Sequence, residues 1–174
     1  MVGSSFNFIR SFWRLRGGEI VLVKKIGVIS DTHGLIRDEI NEFFKECDLI
    51  IHAGDIVSND VILGLQKICK VESVKGNNDY LSPVNKYPDY KEIIVNDNIK
   101  IFVIHDINLM NESYSNYNIV IHGHTHRPME EYKGKTLILN PGSFGPKRFS
   151  LPISLATIDL NGSDFYVKFY EIQN

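Results

Sequence analysis

A chain of 174 residues, 43% hydrophobic and 23% charged with a net charge of −2, suits one compact domain and excludes collagen-like, disordered and two-domain organisation. No run reaches the roughly 18 apolar residues of a membrane-spanning helix, and the slight acidic balance argues against nucleic acid or a membrane as partner. Cys47 and Cys69 have neither C-x-x-C spacing nor the density of a disulfide scaffold, and read as reduced core residues of a cytoplasmic protein.

Residues 1–24 stand apart. Their first part carries Arg10, Arg14 and Arg16 among Phe6, Phe8, Phe12 and Trp13 with no acidic residue before Glu19. A basic amphipathic membrane segment, a targeting sequence and a start assigned too early compete here. The last is preferred, because Gly17-Gly18-Glu19 is what a purine-rich ribosome-binding site would encode. The expectation is an extension, disordered or not part of the functional protein, followed by one domain over 25–174.

From Lys25 the pattern is regular. Ile26-Gly27-Val28-Ile29 is a short apolar run of the kind buried strands show. Ile36, Ile40, Phe43, Phe44 and Cys47 recur at helical spacing over 36–47. A strand at 49–52, a helix at 59–69 capped by Ser58 or Asn59, and a strand at 71–74 follow. This alternation predicts parallel strands with ligands gathered beyond their carboxyl ends. The second half is strand-rich, with runs at 91–95, 100–104, 118–122, 136–139, 153–159 and 164–171. Turn signals at Asp97-Asn98 and Asn161-Gly162-Ser163 predict hairpins, hence two packed sheets with helices outside.

All six histidines, His33, His52, His105, His122, His124 and His126, lie at or just beyond such strands. Taken singly, a histidine there is more often a hydrogen-bonded structural residue than a ligand. The set reads differently. Asp31-x-His33 and His124-x-His126 each place two donors where they can converge on one cation, Gly54-Asp55 adds a carboxylate able to bridge two ions, and Gly76-Asn77 adds an amide oxygen. Oxygen and nitrogen donors without thiolate suit manganese, iron, nickel or zinc, and the chain has no EF-hand loop for calcium.

In order, Asp31-Thr32-His33, Gly54-Asp55, Gly76-Asn77-Asn78-Asp79, His105 and Gly123-His124-Thr125-His126 resemble the five motifs of the calcineurin-like metallophosphoesterases. The resemblance runs from residue 25 to near the C-terminus. Length and the Asn140-Pro141-Gly142-Ser143 segment point to the small single-domain YfcE-like phosphodiesterase branch, which is related to a retromer coat subunit. It implies an α/β, four-layer α-β-β-α sandwich of two mixed sheets. It also implies that Asp31, His33 and His126 hold one divalent ion, that Asn77, His105 and His124 hold a second, and that Asp55 bridges them. The ions, manganese first, would activate a hydroxide that cuts small phosphate esters. His52 and His122 fill no ligand position, and a supporting or core role is expected for both.

Two positions depart from the family pattern. Asn78 stands where larger members carry a histidine near the leaving group, so good leaving groups such as aryl esters should be preferred. Asp106 follows His105 where glycine is common; facing the metals it would favour diesters over monoesters, but it could equally cap the next segment. Asp79 is expected to orient local backbone, and Lys147 and Arg148 either contact substrate phosphate or are solvated surface charges. The rival functions are a catalytically weak protein-binding scaffold of the same fold, which should show replaced ligands, and a nuclease, which should show a basic groove. Open sheet edges also allow a homo-oligomer.

Overall fold

The structure, a computed structural model, describes residues 22–172. Most of the expected extension therefore lies outside the described residues. Its last two belong to the folded body: Val23 is buried and exchanges backbone hydrogen bonds with the Asn96 amide, and the Lys24 N–H donates to Asp48.

Two five-stranded mixed sheets pack face to face. The first has the order β10-β9-β1-β2-β3, in which β1 (Lys25–Ile29), β2 (Leu49–Ala53) and β3 (Lys70–Val74) run parallel and the hairpin of β9 (Ile153–Asn161) and β10 (Asp164–Ile172) is antiparallel to them. The second has the order β4-β5-β6-β8-β7. Its centre is the parallel set β5 (Ile99–Ile104), β6 (Ile119–Ile121) and β8 (Thr136–Asn140), flanked by antiparallel β4 (Tyr90–Val95) and β7 (Met129–Lys133).

Strand alternation sorts the apolar residues. Ile26, Val28, Leu49 and Ile51 meet Ile101, Val103, Ile119 and Leu137 between the sheets. The opposite face of the first sheet turns Ile29 and Ile50 towards α1 (Glu39–Phe44) and α2 (Asn59–Gln66). Gly27 lets the Phe44 ring lie flat on β1, since a Cβ there would stand only 2.9 Å from the ring. The fourth layer covers Phe102, Val120 and Ile138, but with two 3-10 turns, Ile107–Leu109 and Tyr114–Asn116, in place of α-helix.

Strand ends shift by one or two residues from the sequence reading, and three elements differ more. α1 is six residues long, because Asp38 at its start makes no side-chain cap and Ile36 instead packs over Gly64 of α2. α2 begins where expected, with the Ser58 hydroxyl accepting from the Asp60 N–H, and ends at Gln66. β7 was not foreseen: four of its five residues are exposed and three are charged, so this edge strand has no apolar alternation to betray it. No helix among the described residues is long and apolar enough to cross a membrane.

All six parallel strands end on one edge, and the loops there are tied across the sheets. The Asp31 N–H donates to the Gly54 carbonyl and His33 N–H to that of Asp55, while Gly123 N–H donates to His105 and Phe144 N–H to Ser30.

Candidate metal centre

That edge collects every histidine and both motif aspartates. Asp31 has no solvent exposure. Its Oδ2 accepts from the Ser30 hydroxyl at 2.6 Å and from the His124 N–H at 3.1 Å, but Oδ1 has no hydrogen-bond partner. His126 Nε2 comes within 3.2 Å of Oδ1 and His105 Nε2 within 3.9 Å. A buried carboxylate oxygen with no donor costs stability unless a cation completes it.

His105 shows what kind of group is wanted. Its Nδ1 donates to the Ala53 carbonyl at 2.7 Å, which leaves Nε2 as the lone-pair nitrogen of the neutral ring. That nitrogen faces Asn77 Oδ1 at 3.2 Å and Asp55 Oδ1 at 3.5 Å. Asn77 Oδ1 is also 3.0 Å from His124 Nδ1. Ring nitrogens, an amide oxygen and a carboxylate thus converge, an arrangement that a divalent cation satisfies.

On the other side, one donor atom each from Asp31, His33 and His126 lie within 4.8 Å of one another, with His33 and His126 stacked at 5.4 Å. Asp55 divides its oxygens between the two groups: Oδ1 towards His105 and Oδ2 at 3.8 Å from His33 Nε2. Another grouping of Asp31, Asp55 and His105 satisfies the same 4.8 Å spacing. Asp31 and Asp55 therefore both lie at the junction of the two sets.

Charge follows geometry. Burial pushes the Asp31 carboxyl up, but the His126 and His105 imidazoles and the Ser30 hydroxyl more than offset this and hold it below its usual value. Burial likewise opposes ionisation of Asp55, yet His105 and Asn78 keep it well below the carboxylate range. His33 is lowered by burial, against Asp55 and with help from Arg148, which favours the neutral ring a metal needs. His105 moves up: burial lowers it, but Asp55 and Asp31 outweigh that.

Supporting residues complete the site. His52 is fully buried behind the ligand loops with its Nε2 2.9 Å from Thr32 Oγ1, and burial pushes its pKa down to about 3. Asp79 accepts N–H bonds from Ile56, Val57 and Gly76, which binds the loops after β2 and β3 together. Asn78 donates its N–H to Asp55 Oδ1 and its amide Nδ2–H to Oδ2, so its side chain rests on the shared carboxylate. Asp106 accepts from the Asn108 N–H and caps the first 3-10 turn, the second of its two expected roles. Arg148 Nη2 reaches His33 Nε2 at 3.2 Å.

Asn140, read in the sequence only as part of the Asn140-Pro141-Gly142-Ser143 segment, is a further participant. Its amide donates to the Gly123 carbonyl and Thr125 Oγ1 and lies 3.3 Å from His122 Nδ1, shaping the His124-x-His126 loop from the end of β8. The signal for its role was an asparagine closing the strand run at 136–139.

Comparison with known proteins gives a consistent result. The calcineurin-like phosphoesterase superfamily domain matches residues 25–163. A probable metallophosphoesterase of Methanocaldococcus jannaschii is 37% identical over 134 residues, 68% of this chain and 67% of that one. A phosphodiesterase of the same organism is 32% identical over 138 residues, 68% of this chain and 82% of that one. The crystal structure of a predicted phosphoesterase from Streptococcus pneumoniae superposes with a TM-score of 0.67 at 27% identity, covering 87% of this chain and 91% of that one.

Two outcomes test the supporting roles. Asp79→Ala strands three backbone N–H groups and should lower unfolding free energy in urea by about 3 kcal/mol; a loss under about 0.5 kcal/mol contradicts the tie. His52 stays neutral when folded but protonates near pH 6.5 once unfolded, so the unfolded chain binds the extra proton and stability falls with pH between 6.5 and about 3. His52→Gln should flatten urea-measured stability against pH in EDTA over that window by up to about 1.4 kcal/mol per pH unit; an unchanged slope contradicts the buried neutral ring.

Proposed function

The chain belongs to the calcineurin-like phosphoesterase superfamily and is a metal-dependent phosphoesterase; on that premise we propose that it hydrolyses small phosphodiesters with two divalent ions, manganese foremost. The observation that carries this is the convergence of the lone pairs of Asp31 Oδ1, Asp55, Asn77 Oδ1 and His105 Nε2 at one sheet edge.

In this reading Asp31, His33 and His126 hold one ion, Asn77, His105 and His124 the other, and Asp55 lies between. Divalent ions held by these residues would supply an acidified water nucleophile and charge neutralisation at the phosphoryl oxygens. The chain supplies position. The Ala53 carbonyl fixes the His105 tautomer, and the Ser30 hydroxyl and His124 N–H turn Asp31 so that Oδ1 points into the site. Asn78 sets the plane of the Asp55 carboxylate.

Support for diesters comes from the 32%-identical relative, which is named a phosphodiesterase; Asn78, with no proton to give at neutral pH, instead favours good leaving groups such as aryl esters in either class. Asp106 adds nothing to this preference, since its carboxylate is used in capping. The scaffold alternative loses weight because all seven ligand positions carry competent donors. Two free thiols, one buried with its pKa pushed up to about 12, fit a reducing cytoplasm.

The test is hydrolysis of bis(p-nitrophenyl) phosphate and p-nitrophenyl phosphate by metal-stripped protein with and without manganese. The expected outcome is manganese-dependent cleavage, faster on the diester and far slower on a dialkyl ester, with Asp55→Ala lowering kcat/KM by about 100-fold or more. No turnover with manganese, nickel or zinc would overturn the reading.

A further inference from the structure

Arg148 lies three residues past Gly145, in a segment whose start is bolted to the ligand loop. Ser143 Oγ donates to the Asp31 carbonyl, the Phe144 N–H donates to that of Ser30, and Arg37 holds the Gly145 carbonyl at 3.1 Å. Beyond this anchor the chain turns outward: residues 146–150 are exposed, and Phe149 takes a left-handed backbone at φ 52. A fixed base and a free tip set the guanidinium over His33.

What it does there conflicts with metal binding. Nη2 donates to His33 Nε2, which can accept only through its lone pair. A metal held by His33 through that nitrogen needs the same lone pair. The two contacts exclude each other, and a fixed cation beside His33 also opposes a divalent one. Among the described residues no carboxylate lies within ion-pair distance of Arg148, so its charge has no other anchor once it leaves His33. A guanidinium freed beside a loaded centre is suited to a phosphoryl oxygen, which it can grip with two parallel N–H bonds.

We propose that Arg148 is a substrate-positioning residue that exchanges partners: it covers His33 Nε2 in the metal-free protein and, once a divalent ion takes that nitrogen, it binds a phosphoryl oxygen of the substrate. This rests on the two-ion reading. Its signature is a pair of opposite effects, since a merely structural residue would weaken both kinds of binding.

The experiment is calorimetric titration of metal-stripped full-length protein with Mn2+ alone, then of the manganese-loaded protein with inorganic phosphate, for wild type, Arg148→Ala and Arg148→Lys. Removing one charge-assisted hydrogen bond should tighten Mn2+ about threefold to tenfold and weaken phosphate about tenfold in Arg148→Ala. Arg148→Lys, which keeps the charge without the fork, should fall between, and it replaces alanine in the comparison if that variant unfolds. Unchanged affinities, or weakening of both, would overturn the exchange while leaving the metal centre standing. A wild type that binds no Mn2+ would overturn the centre and the exchange together.

Discussion

Asp31 is where the energetics of this molecule are decided. Its carboxylate has no solvent exposure, one oxygen is saturated by Ser30 and His124, and the other accepts no hydrogen bond. An ionised group left in that state destabilises a fold by several kcal/mol. The His126 and His105 imidazoles offset that penalty, and the other side chains around it bring no donor to Oδ1. They add further acceptors, Asp55, Asn77 and the Nε2 lone pair of His105, whose ring is oriented by the Ala53 carbonyl. Such a cavity is finished by cations.

Local backbone strain is concentrated at the same place. Asp31, His33, Asp55, Val57, His124 and His126 all have positive φ. A left-handed non-glycine residue costs about 1 kcal/mol or more, and strain of this kind persists only when its surroundings over-determine it. Here they do: the loop after β1 pairs by N–H bonds with the loop after β2, and the Asp79 carboxylate binds the loops after β2 and β3. Gly76 and Gly123 allow the close approach, because a Cβ at either would strike Asp55 or the Ser30–Asp31 pair. Strands packed through an apolar interior supply the rigid base from which these loops project.

Much of this was legible in the sequence because two periodicities coincide with chemistry. Apolar runs such as 26–29 and 49–52 mark strands buried on both faces, and each ends on a ligand motif, so strand order predicted where donors would gather. What stayed hidden has physical causes. β7 is an edge strand of exposed charged residues, and the layer over Phe102 and Val120 is made by 3-10 turns, which have no long periodicity to read. The Asn140 contacts and the Arg148 contact with His33 depend on strands and loops far apart in the chain: Asn140 reaches back 17 residues to Gly123 and Arg148 reaches back 115 to His33. Spacing within one element could not announce either contact. Asp106 was ambiguous for the opposite reason, since a local cap and a site contact call for the same residue type.

The account turns on whether the edge shared by the two sheets holds two ions through these seven side chains. Crystals of the protein grown with Mn2+ and measured at the manganese absorption edge address this directly. Two anomalous peaks are predicted in each chain, one bounded by Asp31, His33 and His126, the other by Asn77, His105 and His124, with Asp55 touching both. A single peak, or manganese bound elsewhere while Asp31 Oδ1 stays without a partner, would contradict it.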